Sequence, residues 1–288
     1  MDFKALGMGV AFAFMWSSAF TSARIIVAHA PPMLTLSVRF ALSGLIAIAI
    51  AWALGQRMSL TKEQWRATLI FGLCQNALYL GLNFMAMQTV EASLAAIVAA
   101  SLPLWVAGFG WVLFAERLSG LGLVGLLAGF GGVALIMGSR VTGGADAFGV
   151  MLCLIGVLAL TFATLALRSA SSGGNLWFVI GVQMLVGGAV LLPFGVLFEA
   201  PVVEMSWSLI AAFTYTVLVP GLLATWVWFL LVNRIGMVRA ATYHFLNPAF
   251  GVAVAAILLS EVLSATDLVG VVVATLGILL VQLARTDR

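Results

Sequence analysis

The chain has 288 residues, of which 64% are apolar and 8% are charged, and its net charge is +3. Soluble domains carry about a quarter charged residues, so this composition excludes a water-soluble globular protein, and the mean hydropathy of +1.19 indicates a lipid environment. The small net charge and the absence of a basic run also argue against nucleic-acid binding.

Ten apolar runs, each about as long as a spanning helix needs to be, follow one another with short loops between them. The first run is longer than the apolar part of an ordinary signal peptide, so we expect it to be retained as span one. The spans, numbered in chain order, are predicted at residues 4–24, 33–54, 66–87, 92–114, 120–138, 147–167, 176–197, 207–230, 238–259 and 266–284. They predict an all-α polytopic membrane protein.

The distribution of Lys and Arg predicts the orientation of the spans. Ten spans place ten of the 13 basic residues on the side of the chain termini and only Arg24 and Arg140 on the opposite side, while Arg39 lies within span two. Basic residues concentrate on the cytoplasmic side of membrane proteins. We therefore expect a multi-pass protein of the bacterial inner membrane with both termini in the cytoplasm.

One short sequence motif occurs twice in similar form. It reads "ERLSGLGLVG" from Glu116 and "EVLSATDLVG" from Glu261, 145 residues later. Pro103 and Pro248 each precede the glutamate by 13 residues. The sequence therefore predicts two repeats of five spans, residues 1–144 and residues 145–288. Because five is odd, the second repeat crosses the membrane in the opposite direction, as in transporters with alternating access. An inert helical bundle built by duplication is the alternative.

The doubled pattern of Pro, Glu-x-Leu-Ser and Leu-Val-Gly, over residues 103–136 and 248–281, resembles the EamA family of the drug/metabolite transporter (DMT) superfamily. Within that family the chain is similar to the YddG-type bacterial exporters of amino acids, aromatic ones included. The resemblance implies ten transmembrane helices as two inverted five-helix repeats around a central cavity. It also implies that spans one, three, four, six, eight and nine line this cavity and that spans five and ten are peripheral.

Polar side chains within the spans are the candidates for substrate binding, because polar groups in lipid face a cavity or a neighbouring helix. In span three, Asn76, Tyr79 and Asn83 recur on one helical face, which favours a cavity wall over interhelical hydrogen bonds. Pro103 and Pro248 are expected to bend spans four and nine near mid-membrane, where free backbone groups can meet a substrate. The candidate substrate-binding residues are Trp16, Ser17, Asn76, Tyr79, Asn83, Ser101, Trp105, Thr161, Tyr243, His244 and Asn247.

Several residues admit two interpretations. Arg39 either extends its charge to the membrane interface or attracts a substrate carboxylate, and its repeat partner is Gln183. Glu116 and Glu261 are expected to accept hydrogen bonds from the starts of spans five and ten, with gating as the alternative. The small residues of spans five and ten are expected to bring these helices close together. They are Gly125, Gly129, Gly132, Gly270, Ala274 and Gly277.

Three classes of function are compatible with a helical membrane protein. An intramembrane enzyme is disfavoured, because the chain has only two histidines and neither an HExxH nor a GxSxG motif. A channel or a structural bundle does not need the inverted repeat. The sequence therefore favours a secondary transporter that exports small neutral or zwitterionic metabolites, amino acids including aromatic ones. A permease for another small neutral metabolite or drug is the alternative.

The energy source and the partners follow from what the sequence contains. No Walker A motif is present, so we expect transport without ATP, cofactor or metal. The acidic residues lie near span ends or in loops, and only His244 could titrate deep in the membrane near neutral pH. We therefore expect facilitated movement down the substrate gradient. The expected partners are an amino-acid-like substrate and the lipid bilayer, and the chain is expected to be a monomer, with a homodimer as the alternative.

Overall fold

A computed structural model of the chain describes residues 2–114, 119–166, 174–236, 240, 242–262 and 264–286, and within these ranges all regular structure is helical. Seven helices are long and apolar enough to cross a membrane. Three shorter apolar helices, Gly120–Ile136, Asn247–Leu259 and Ala265–Gly277, occupy the places of spans five, nine and ten. The prediction of a ten-helix, all-α membrane protein is confirmed.

The observed spans begin and end close to the predicted positions. Span three begins earlier than predicted, at Lys62, because Thr61 and Gln64 form a reciprocal capping box that starts the helix among charged residues. The spans are Phe3–Val27, Pro32–Ala53, Lys62–Ala86, 92–114, Gly120–Thr142, Ala147–Ala166, Leu176–Phe198, Trp207–Ile235, 242–259 and Ala265–Thr286.

Equivalent spans of the two repeats pack against each other, span five on span ten and span two on span seven. A Cβ atom added at Gly132 would lie 2.6 Å from Ala274 N, and one added at Gly277 would lie 2.6 Å from Gly125 O. Only glycine allows the two backbones to come this close, so the expected role of the small residues is confirmed. Spans two and seven meet through Gly44 and Gly181 in the same way.

The inner spans depart from regular α-helix at matching places in the two repeats. Span three contains a π-helical segment at Gly72–Leu80, and span eight contains one at Val217–Leu223, 145 residues later. Span four is interrupted at Ser101, and span nine changes from 3₁₀-helix to α-helix after Leu246, again 145 residues later. The two prolines follow these interruptions by two residues, which confirms that they mark breaks in spans four and nine.

The repeated Glu-x-Leu-Ser phrase joins helices in a way that differs from the prediction. Glu261 accepts hydrogen bonds from Ala92 N at 2.9 Å and Ser93 N at 3.0 Å, so it caps span four and not span ten. Span ten is instead capped by Ser264, which exchanges hydrogen bonds with Asp267 at 3.1 and 2.8 Å. The expected role of Glu261 at the start of span ten was therefore wrong. Glu116 lies outside the described residues.

The innermost spans cross between the repeats. Span one packs against spans four, eight and nine, and span six packs against spans three and four. At the termini side, Asp2 and Arg234 join the start of span one to the end of span eight, with Arg234 Nε 2.6 Å from Asp2 Oδ2. This hydrogen bond lowers the pKa of the Asp2 carboxyl from its ordinary value. The topology that places both ends on one side of the membrane agrees with this ion pair.

Candidate transport cavity

A cavity lies between the two repeats, in the middle of the membrane and toward the side opposite the termini. Spans one, two, three, seven and eight form its wall. We call it the arginine compartment, because Arg39 is the charged residue among those that line it. Its other polar lining residues are Gln75, Asn76, Tyr79, Asn83, Thr216 and Thr225.

A second cavity lies toward the termini side and is lined mainly by aromatic and aliphatic side chains. His244 and Thr164 are among its few polar lining residues, so we call it the histidine compartment. Trp16, Gln75 and Thr225 line both compartments. These three residues, which we call the waist, therefore stand at the boundary between the two compartments.

Arg39 is buried, with 4% of its surface exposed, although it lies only two turns from the end of span two. Its guanidinium carbon stands 4.8 Å from the centre of the Phe40 ring, and its Nε has no hydrogen-bond partner among the described residues. The side chain is therefore not extended toward the membrane interface. Its repeat partner Gln183 is also buried, at 1% exposure, and its side-chain amide likewise has no partner in the described ranges.

Two asparagines of span three that line the arginine compartment donate their amide nitrogens to backbone carbonyls. Asn76 Nδ2 donates to Gln183 O at 2.8 Å, and Asn83 Nδ2 donates to Tyr79 O at 2.8 Å. A backbone carbonyl can only accept, so these contacts fix which end of each amide carries the nitrogen. The amide oxygens of both asparagines are thereby left for other donors. Both residues line the compartment.

Aromatic rings form the boundary between the compartments. The rings of Trp16 and Tyr79 are parallel within 2°, with centroids 6.4 Å apart. The Tyr79 hydroxyl is buried and makes no hydrogen bond of acceptable geometry with a described residue. This arrangement offers flat apolar faces next to an unpaired hydroxyl.

His244 lies in an aromatic enclosure at the start of span nine. Its ring stands 5.2 Å from Phe12, 6.0 Å from Trp16 and 5.3 Å from Trp228, measured between centroids. Asn247 Nδ2 lies 2.9 Å from His244 Nδ1. The imidazole is thus held by one polar neighbour and three rings, and it faces the histidine compartment.

The structure brings five of the sequence-predicted candidates to the compartments, namely Trp16, Asn76, Tyr79, Asn83 and His244. The other six lie elsewhere. Ser101 and Thr161 donate to carbonyls of their own helices, at 2.6 and 2.7 Å. Ser17 and Asn247 are fully buried without lining either compartment.

The last two candidates contact other helices. Trp105 meets Phe130 of span five, with ring centroids 4.8 Å apart, and donates its Nε1 hydrogen to Ser101 Oγ at 3.1 Å. The Tyr243 ring packs against Gly9, near the termini-side end of span one. Neither ring therefore faces a compartment, because the interruption of spans four and nine turns these residues away from the path.

Comparison with known proteins decides the family. The model of the EamA-like transporter family matches the chain twice, over residues 3–138 and 147–283. The chain belongs to the EamA-like transporter family. Membership in this family makes it a membrane transporter rather than an enzyme.

Two proteins that are named as uncharacterized transporters match along nearly the whole chain. The uncharacterized transporter YvbV of Bacillus subtilis is 25% identical, over 93% of this chain and 88% of its own length. The uncharacterized inner membrane transporter YedA of Escherichia coli K12 is 26% identical, over 94% of this chain and 88% of its own length. A crystal structure that is 20% identical superposes with a TM-score of 0.73 over 100% of both chains, which shows the shared fold.

In this EamA-like transporter, spans two and seven contribute to the cavity, which the resemblance had not implied. Arg39 and Phe40 come from span two, and Met184 comes from span seven. Gln75 was missed because, on a regular helix, it would face about 100° away from Asn76. The π-helical segment widens the turn, so neighbouring residues of span three reach the same cavity. The sequence contained one signal that span two contributes to the cavity, namely the charge of Arg39 within an apolar span.

Proposed function

We propose that this transporter exports small zwitterionic or neutral metabolites, amino acids including aromatic ones, across the bacterial inner membrane. The observation that carries the proposal is the lining of the arginine compartment, which combines aromatic rings and amide groups with one guanidinium. A compartment of this kind suits a substrate with an apolar side chain and a polar head that bears balanced charges. In this proposal both termini are cytoplasmic and the repeats are residues 1–144 and 145–288.

The charge of the compartment argues against strongly anionic substrates. A sugar phosphate or a nucleotide sugar carries two negative charges, and bringing both into the membrane requires at least two compensating cations. The described lining contains Arg39 as its cation and no lysine. A net-neutral substrate therefore fits better, and the flat faces of Trp16 and Tyr79 favour an aromatic or aliphatic side chain.

The two compartments support alternating access as the mechanism. The waist separates a cavity near one side from a cavity near the other, and the repeats are inverted copies. Exchange of the conformations of the two repeats would open one compartment as it closes the other. Gln88, which follows Met87 of the arginine compartment, lines a surface depression with His29 and Glu204, where a substrate could leave.

Flux measurements in proteoliposomes test this proposal. Purified protein is reconstituted with internal radiolabelled phenylalanine, and efflux is followed at equal pH on both sides, with unlabelled amino acids and a sugar phosphate as competitors. We expect saturable efflux that aromatic amino acids inhibit and that the sugar phosphate leaves unchanged, without ATP. Efflux that the sugar phosphate inhibits and amino acids do not would contradict the substrate class.

The same vesicles test the energy source. Acidic side chains in the described ranges lie at span ends or in loops, so His244 is left as the titratable candidate near the path. We expect no uphill accumulation when a pH gradient is imposed, because movement follows the substrate gradient. Accumulation that is lost in His244→Gln would instead identify proton coupling through this residue.

A further inference from the structure

Arg39 is held at the wall of the arginine compartment by apolar and backbone contacts. The Phe40 ring supports the guanidinium from one side, and Arg39 Nη2 would lie 3.4 Å from a Cβ atom at Gly221 in the π-helical segment of span eight. These contacts position the planar group without neutralising it. The side chain is therefore fixed in place, although its polar hydrogens remain available.

No acidic side chain in the described ranges forms an ion pair with Arg39, so its positive charge is buried without a counter-charge. A buried cation without a counter-charge is costly, and ionisable residues within spans commonly mark a substrate pathway. Because Arg39 is 96% buried and lines the cavity, an anion that enters the cavity can supply the missing charge.

The wall formed by span three has the complementary character. The amides of Asn76 and Asn83 use their nitrogens on backbone carbonyls, so their oxygens are the groups available to the cavity. These oxygens accept hydrogen bonds and suit an ammonium or amine group. The cavity thus has a donor of fixed positive charge on span two and acceptors on span three.

We infer that Arg39 binds the carboxylate of the substrate and that Asn76 and Asn83 receive its amino group, which makes the α-amino-acid head group the recognised element. The inference rests on the proposed function and narrows it from neutral or zwitterionic metabolites to amino acids. The guanidinium fork matches a planar carboxylate with two parallel hydrogen bonds. The carboxylate neutralises the guanidinium of Arg39, and the amide oxygens stabilise the ammonium group, which carries the remaining positive charge.

Binding to purified protein in detergent tests this assignment with three probes. Phenylalanine carries both groups, phenylalaninamide lacks the carboxylate, and 3-phenylpropionate lacks the amine. We expect wild-type protein to bind phenylalanine about 10- to 100-fold more tightly than the amide, in the range of a charge-assisted hydrogen-bonded pair. In Arg39→Gln the ratio of the two affinities should fall to about one, and Arg39→Lys should restore part of it.

A matched control and a stability measurement distinguish a role of Arg39 in substrate recognition from a role in the stability of the fold. Arg234 lies at the termini-side end of span eight, pairs with Asp2 and lines neither compartment, so Arg234→Gln should keep the wild-type ratio. Ligand-free Arg39→Gln should unfold at a Tm equal to or a few degrees above that of wild type, because it removes an uncompensated buried charge. A large drop in Tm with an unchanged affinity ratio would show that Arg39 is structural and overturn the inference.

The outcomes also separate the inference from the proposed function. Efflux of amino acids by wild type, together with a ratio that Arg39→Gln does not change, supports the proposed function and overturns the inference. Absence of amino-acid efflux, together with Arg39-dependent binding of 3-phenylpropionate, overturns the proposed function and keeps Arg39 as a carboxylate site. Absence of both efflux and carboxylate binding overturns both.

Discussion

At the scale of single residues, what matters is which polar atoms have no partner inside the protein. The described ranges contain eight such side-chain atoms, and two of them, Arg39 Nε and Tyr79 Oη, belong to residues that line the arginine compartment. Buried polar atoms are nearly always satisfied in proteins that do not bind ligands. An unpaired atom beside a cavity therefore indicates a substrate contact better than residue type alone.

Two tyrosines provide a test with identical chemistry. Tyr79→Phe should raise the KM for phenylalanine about 3- to 10-fold, the range of one neutral hydrogen bond, and leave the Tm in detergent unchanged. Tyr215 instead shares a hydrogen bond of 2.6 Å with Ser18 Oγ and lies outside both compartments. Tyr215→Phe should lower the stability by about 1 kcal/mol and leave KM unchanged. Equal effects of the two variants on KM would remove Tyr79 from the binding site.

At the scale of elements, two glutamates use the same chemistry at different kinds of junction. Glu199 ends span seven and accepts hydrogen bonds from Met33 N and Leu34 N, at 2.9 Å each, so it caps span two within one packed pair. Glu261 follows span nine and caps span four, which lines the histidine compartment. Only the second contact must break if spans four and nine separate on the side opposite the termini.

A cysteine reporter distinguishes the two glutamates. In a background without Cys74 and Cys153, Met87→Cys places a thiol at the edge of the arginine compartment. Glu261→Gln should increase its rate of labelling by an impermeant maleimide about 5-fold, the effect of losing about 1 kcal/mol of capping energy. Glu199→Gln should lower the Tm without changing the rate. Equal labelling rates in both variants would show that Glu261 only stabilises a helix end.

The elements also show where sequence reasoning succeeds and where it stops. The breaks of spans four and nine and the close contacts of spans five and ten could be predicted, because proline and glycine impose them locally. The π-helical segment at Gly72–Leu80 contains no proline, and it packs against spans six and seven. It turned Gly72 toward Gln183 O and brought Gln75 to the cavity. The direction in which each side chain of such a segment points depends on tertiary contacts.

At the scale of the whole molecule, the orientation in the membrane remains a prediction from the basic residues. Cysteines placed at Lys62 and Arg285 should be protected from an impermeant maleimide in intact cells, and cysteines placed at Ala145 and Pro201 should react. Permeabilised cells, in which all four positions are accessible, provide the control. The reverse pattern would place the termini outside and make the arginine compartment the one nearer to the cytoplasm.

The glycine contacts have a consequence for the origin of the molecule. Gly132 meets Ala274, and their counterparts at the offset of 145 residues, Gly277 and Gly129, meet in return. Gly44 likewise meets Gly181, and their counterparts Gly188 and Ser37, at the offset of 144 residues that relates the earlier parts of the two repeats, also meet. Such reciprocal contacts are isologous, as in a dimer of identical subunits. A five-span chain that inserts in both directions would form both of these helix contacts with a second copy of itself. Fusion of two such copies fixes their stoichiometry and opposite insertion, and it then permits a charge such as Arg39 to stand in one half alone.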